Sequence, residues 1–226
     1  MYSFASRPDT LVMDEPFYGY YLDQTGLDHP GRDEILESMD CNWETIVKNI
    51  NDQKGKADII FVKNMAHHLL KDNLSFMDGW INLYLIRDPK QIVASFSQVI
   101  DMPLLKDIGS QQQAALFRRA PGIVVDSNEL LKDPNLVLLE MCSRLGIPFY
   151  DQMMQWQSGP IKEDGVWSKY WYKNVHASTG FKAQNKKKRE LNKELADVAG
   201  RALPYFNELF KHAIKADHAT KIQPKK

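Results

Sequence analysis

Short apolar runs alternate along this chain with stretches in which apolar positions recur every three or four residues, and that alternation predicts an α/β protein. The strand candidates are Thr10 to Met13, Asp58 to Lys63 (DIIFVK), Leu83 to Ile86 and Gly122 to Val125. Their nearly continuous apolar character, clearest in LYLI, suits parallel strands covered on both faces by helices. Helical spacing appears at Trp43 to Asn51, briefly at Ala66 to Lys71, after Pro89, at Ser110 to Arg119, and again from Ser127 and from Pro134. Lys186 to Lys211 predicts a charged terminal helix, broken or kinked near Pro204 because proline lacks the N–H that a helix interior needs. Gly159 to Gly180 is aromatic and turn-rich and predicts a long ordered loop, whereas Thr220 to Lys226 should fray. No internal repeat is visible. With 226 residues, 43% of them hydrophobic, the chain can bury one sizeable core. The simplest organisation is a single domain over residues 1–226, with 185–226 as terminal helix and basic tail.

The most informative stretch is Ile81 to Ser97, INLYLIRDPKQIVASFS. A buried strand ends on Arg87, Asp88 is placed to cap a helix, and Pro89 suits its first position. Ile92, Val93 and Phe96 then form an apolar stripe at helical spacing. Arg87 would thus sit at the carboxyl end of a parallel strand beside a positive helix N-terminus, where open α/β sheets bind anions. Ser95 lies about two turns into that helix, within reach of an anion that Arg87 also holds. A plain alternative is an arginine paired with a local carboxylate and a serine that only fills a helix.

Arg87-Asp88-Pro89 with Ser95 eight residues after the arginine resembles the 3′-phosphate-binding motif of sulfotransferases that use 3′-phosphoadenosine 5′-phosphosulfate (PAPS). Ile123 to Phe149, IVVDSNELLKDPNLVLLEMCSRLGIPF, is similar to a later strand, Asp-Pro turn and Leu-Gly-Ile-Pro ending in the same family. Ser6 to Tyr18 and Gly165 to Phe181 add to the likeness, which spans roughly residues 3 to 182. The resemblance implies a three-layer P-loop/sulfotransferase-like fold with a mainly parallel central sheet. It also implies PAPS as co-substrate, 3′,5′-adenosine bisphosphate (PAP) as product, no metal, and Arg87 and Ser95 as holders of the 3′-phosphate.

One segment departs from the family. A first strand and a phosphosulfate-binding loop, typically Pro-Arg-Thr/Asn-x-Ser-Thr, should precede the helix that is already expected to be under way at MYSFASRPDT, and no Gly-x-x-x-x-Gly-Lys-Ser/Thr pattern replaces that loop. The expectation is either an amino-terminally truncated piece of a longer protein or a shortened relative that has lost donor binding. A missing first strand would leave an exposed edge or a gap in the sheet.

Sulfuryl transfer needs a base for the acceptor proton and positive charge around the transferring group. Phe61 to His68, FVKNMAHH, leaves a strand end with one lysine and two histidines. Lys63 and His67 have the Lys-x-x-x-His spacing common in the family, and His68 competes as the base. Asp14 and Glu15, also at a strand end, are candidates to orient a cationic acceptor group or the base, or to act as a structural cap. Trp171, with Trp167, Tyr170 and Tyr172, is a candidate to stack on adenine or wall the acceptor pocket, though aromatics this dense also suit a core. Lys182, after Gly180-Phe181, and Lys169 and Lys173 lie where the family completes its phosphate site, but the usual Arg-Lys-Gly is absent. The run Lys186-Lys187-Lys188-Arg189 reads as a solvated helix start.

Charge narrows the partners. The chain balances 29 basic against 29 acidic residues, which predicts neither a nucleic acid nor an anionic membrane as partner. The balance is uneven: residues 160–226 carry 15 Lys and Arg against 7 Asp and Glu, which suits an anionic nucleotide. Cys41 and Cys142 are too few for a disulfide scaffold, no signal peptide opens the chain, and no apolar run reaches bilayer length, so the expected location is cytoplasmic. Asn73-Leu74-Ser75 matches a glycosylation pattern without secretory context. The resemblance makes PAPS-dependent transfer to a hydroxyl or amine of a small-molecule acceptor the leading function. The alternatives are a non-catalytic nucleotide- or protein-binding relative and, less compatible with the missing Walker lysine, a P-loop phosphotransferase. The sequence leaves the oligomeric state open.

Overall fold

The computed structural model describes residues 1–71, 74–100, 102–182 and 190–217. Asn73, the Lys186–Arg189 run and the Thr220–Lys226 tail lie outside the described residues. The elements begin with α1 (Tyr2–Ala5), β1 (Thr10–Asp14), α2 (Tyr18–Thr25), α3 (Arg32–Ser38), α4 (Trp43–Asn51) and β2 (Ile59–Lys63). They continue with β3 (Leu83–Ile86), α5 (Pro89–Phe96), α6 (Ser110–Arg119), β4 (Ile123–Asp126), α7 (Ser127–Lys132) and α8 (Pro134–Leu145). Last come α9 (Ser168–Trp171), α10 (Lys173–His176), α11 (Lys193–Phe210) and β5 (Ala213–Ile214). This is an α/β fold in which, among the described residues, the named strands pair in parallel, in line with the expected mainly parallel arrangement. The pairings fall into a two-stranded sheet, β1-β2, and a three-stranded sheet, β3-β4-β5. The chain divides correspondingly into two compact units.

The first unit comprises Met1–Phe76 and Tyr150–Phe181. Its strands pair in register from Thr10 opposite Ile59 to Asp14 opposite Lys63, so both strands deliver a charged residue at their carboxyl ends. Tyr18, Tyr21, Leu22, Ile35 and Trp167 form the core beside α2, with Trp171 and Tyr172 packed against it. Arg7 joins the two separate stretches. Its Nε donates to Asp9 Oδ1 at 3.0 Å and Thr10 Oγ1 at 3.1 Å, and its guanidinium lies 4.9 Å from the centre of the Tyr150 ring. Burial raises the Asp9 carboxyl, but its bonds with Arg7 and Thr10 outweigh that and leave the pKa below the usual aspartate value. The predicted helix at Ala66 to Lys71 is only a 3₁₀ turn, Ala66–His68, because Leu69 leaves the helical region at φ −87°, ψ 81°. The aromatic stretch from Gly159 is ordered by α9, α10 and an antiparallel bridge between Gln155 and Gly180.

The second unit comprises residues 77–149 and the chain from Lys182 onward. β4 is central, with Val124, Val125 and Asp126 buried. Cover on both faces holds for β4 and not for β3: at this edge strand Tyr84 and Ile86 are buried, while the alternating Leu85 is 59% exposed. Helix α11 starts at Lys193, where Asn192 Oδ1 accepts from Leu195 N at 2.8 Å, and the described residues just before it, Glu190 to Asn192, are not helical. It also runs unbroken through Pro204. Packing accounts for this, since Val198, Ala199 and Ala202 bury against Val93 and Ile108 before the proline, and Leu209 joins Tyr84, Ile86, Ala114 and Val124 after it.

Candidate functional site

In the first unit the parallel register sets Asp14 beside Lys63, and Glu15 extends the ladder by donating its N–H to the Lys63 carbonyl at 2.7 Å. Lys63 Nζ forms an ion pair with Glu15 Oε1, stands 3.4 Å from Asp14 Oδ1, and donates to the Tyr172 hydroxyl at 2.7 Å. That hydroxyl is 2.9 Å from each carboxylate oxygen of Asp14, to which it donates, and 3.3 Å from Glu15 Oε1. The side chains of Asp14 and Glu15 are 1% and 7% exposed. Two buried carboxylates are thereby compensated by one lysine and one phenol from a distant part of the chain. Burial lowers the Lys63 pKa despite the opposing pull of Asp14. Burial first, and Asp14 second, push the Tyr172 phenol far above its ordinary value, so it stays protonated and donates.

Glu15 has φ 43°, the one positive φ at a non-glycine among the described residues. A left-handed glutamate costs about 1 kcal/mol or more and persists only where its surroundings impose it. Here the bond to the Lys63 carbonyl, the ion pair with Lys63, and a bond from Tyr18 N to the Glu15 carbonyl at 2.9 Å impose it together.

Both histidines are buried. His68 stacks on Tyr18 at 4.6 Å and on Tyr21 at 4.7 Å, and its Nδ1 is 3.5 Å from Glu15 Oε2, without hydrogen-bond geometry. Burial, then the neighbouring His67 and Lys63, hold its pKa well below the usual histidine value, which keeps the ring neutral. His67 meets Tyr21 edge-on at 5.3 Å. Lys63, Asp14, Glu15 and His68 are thus brought together, with His67 behind them in the aromatic wall. Trp171 is packed against the aromatic core of the same unit, and Lys169 pairs with Glu34 at 2.5 Å.

The second unit carries the anion-binding candidates. Arg87 follows β3, and Asp88 caps α5 by accepting from Lys90 N at 2.8 Å, with Pro89 in the first turn. Burial lowers the pKa of the half-buried guanidinium, and Asp88 and Asp126 act against that shift. Arg87 Nε donates to Gln91 Oε1 at 3.2 Å, and Gln91 Nε2 donates to Asn128 Oδ1 at 3.1 Å. Ser95 lies on the same helix, half-buried, and Lys182 is exposed. Arginine, helix N-terminal amides and hydroxyls are each donors that suit a phosphate. Among the described residues no group of three or more His, Cys, Asp or Glu could hold a metal ion. No helix among them is long and apolar enough to cross a membrane.

The model of the sulfotransferase domain matches residues 1–213. The chain belongs to the sulfotransferase family. Two proteins of Arabidopsis thaliana, branched-chain-amino-acid aminotransferase-like proteins 1 and 2, are 38% and 35% identical to this sulfotransferase domain over 218 residues, 94% of the chain in each case. The chain spans 39% of the length of each of these relatives. A solved sulfotransferase domain from the curacin biosynthetic pathway is 16% identical, with a TM-score of 0.43, over 84% of this chain and 77% of its own.

The sequence names Arg87, Ser95, Lys63 and the two strand-end carboxylates as candidates. It places Tyr172 only among the aromatics and does not single out Gln91 and Asn128. Gln91 was accessible as the residue one helical turn after Arg87. Nothing local marks Tyr172, whose partners lie more than 100 positions away.

Proposed function

We propose that this protein transfers a sulfuryl group from PAPS to a hydroxyl or amine of a small-molecule acceptor. The observation that carries the reading is the Lys63 constellation: a strained, buried glutamate and a lysine held together at adjacent strand ends. In this reading the Glu15 carboxylate accepts the acceptor's proton, with neutral His68 behind it as the further candidate. Lys63 offsets negative charge that grows on the bridging oxygen as its bond to sulfur breaks and the acceptor's bond to sulfur forms. Arg87, the N-terminus of α5 and Ser95 hold the 3′-phosphate; PAPS supplies the activated sulfuryl group and leaves as PAP. Asp14 and Tyr172 keep Lys63 and Glu15 in place. A cytoplasmic setting belongs to the same proposal and is supported by the free thiols of Cys41 and Cys142.

The relatives' names speak of aminotransferase likeness, but those proteins are more than twice as long as the region they share with this chain, and that region is the sulfotransferase domain. No aminotransferase role is carried over. The test is label transfer from [35S]PAPS to a panel of phenols, alcohols and amines. Transfer is expected, with kcat reduced about 100-fold or more in Glu15→Gln. PAP binding without transfer to any acceptor would favour the non-catalytic relative, and unchanged turnover in Glu15→Gln would reject the assigned base.

A further inference from the structure

We propose that Gln91 and Asn128 form a neutral relay that fixes the plane of the Arg87 guanidinium and so sets selectivity for a nucleotide bearing a 3′-phosphate. The inference rests on the reading of Arg87 as the arginine of the donor site. An arginine side chain has four rotatable bonds, and ordering it costs conformational entropy. Part of that cost is met in advance here. Arg87 Nε donates to Gln91 Oε1 at 3.2 Å, Gln91 Nε2 donates to Asn128 Oδ1 at 3.1 Å, and the Asn128 N–H is held by Asp126 Oδ1 at 3.0 Å. The relay runs from the end of β3 to the start of α7 after β4, both of them rigid parts of one sheet-and-helix unit.

The choice of residue type is informative. A glutamate at position 91 would also reach Arg87 Nε, but it would neutralise the guanidinium that an incoming phosphate needs. An amide orients the arginine without adding a negative charge beside it. The amide can face only one way, because Arg87 needs an acceptor from it while Asn128 Oδ1 needs a donor. Gln91 and Asn128 are therefore positioning residues, acting on the ligand through Arg87.

Calorimetry of PAP and of 5′-AMP with the 226-residue chain isolates the 3′-phosphate, and thermal melting of each variant reports structural damage separately. Gln91→Ala is expected to weaken PAP about 5- to 10-fold and leave 5′-AMP unchanged. Asn128→Ala should act in the same direction but less, and the double variant should be no worse than Gln91→Ala. Gln91→Glu should weaken PAP more than Gln91→Ala does. A wild-type preference for PAP that persists in full in Gln91→Ala overturns the relay while leaving the donor-site reading intact, and equal loss of both nucleotides does the same. No preference of the wild-type chain for PAP over 5′-AMP overturns the donor-site reading and the relay together.

Discussion

The Lys63 constellation and the Arg87 arm are both cations at the ends of parallel strands, yet the fold treats them in opposite ways. Lys63 stands against two carboxylates, Asp14 and Glu15, and donates to the neutral phenol of Tyr172. Arg87 is contacted by a neutral amide, which in turn leans on a second neutral amide. A cation enclosed by buried carboxylates is part of what keeps those carboxylates tolerable inside the protein, whereas the amide that orients Arg87 adds no charge of its own beside it. Removing the first should therefore damage stability, and removing the second should damage binding.

The largest expected effect is at Lys63. In Lys63→Met the side chains of Asp14 and Glu15 would be left buried without their cation, a situation that costs about 3–5 kcal/mol. Urea unfolding of the variant measures this, and a loss under about 1 kcal/mol would mean that water or rearrangement already compensates the carboxylates. Arg87→Ala is the counterpart. It should leave the urea midpoint nearly unchanged while lowering PAP affinity about 30-fold or more, the worth of charge-assisted hydrogen bonds to a phosphate. If the two variants exchanged these phenotypes, the contrast between a cation on which the fold depends and one on which it does not would fail.

The acid limb of stability offers a finer test within the first unit. His68 has a folded-state pKa well below 6.5, so the unfolded chain takes up a proton near pH 6.5 that the folded chain refuses. Stability consequently falls as pH drops below about 6.5, at up to ~1.4 kcal/mol per pH unit from this residue alone. His68→Phe keeps a flat ring between Tyr18 and Tyr21 and removes that proton, so its loss of stability between pH 6.5 and 5 should be shallower than that of the wild type. Parallel curves would show that the buried imidazole protonates with little penalty. Asp9 works in a lower window: its depressed pKa contributes stability above about pH 4, lost as pH falls through the folded value.

Legibility in the sequence followed the distance over which the physics acts. The strand, cap, proline and stripe at Leu83 to Phe96 are local, and the structure reproduces them nearly residue for residue. The Asn-capped start of α11 and its passage through Pro204 were misread, because packing by Ala202 and Leu209 overrode the local proline signal. The edge position of β3 was equally invisible: LYLI reads as fully covered, and only the strand order reveals that Leu85 is not. At the site, each charged residue could be named from its place at a strand end. Their mutual pairing could not, since it depends on the β1-β2 register and on Tyr172 arriving from another part of the chain.

Tyr172→Phe makes the smallest expected change and separates the roles inside the constellation most cleanly. The hydroxyl links Lys63 to Asp14, but those two already stand 3.4 Å apart and retain each other when it is gone. The ring keeps its place against Trp167 and the rest of the aromatic core. The variant should lose about 1 kcal/mol in urea unfolding, the ordinary worth of a hydrogen bond whose partners are not orphaned. Its turnover in the label-transfer assay should stay within about threefold of the wild type, since Glu15 and Lys63 remain paired. A loss approaching that of Lys63→Met would mean that the phenol itself, through its bond to both charges, holds the constellation in its working geometry.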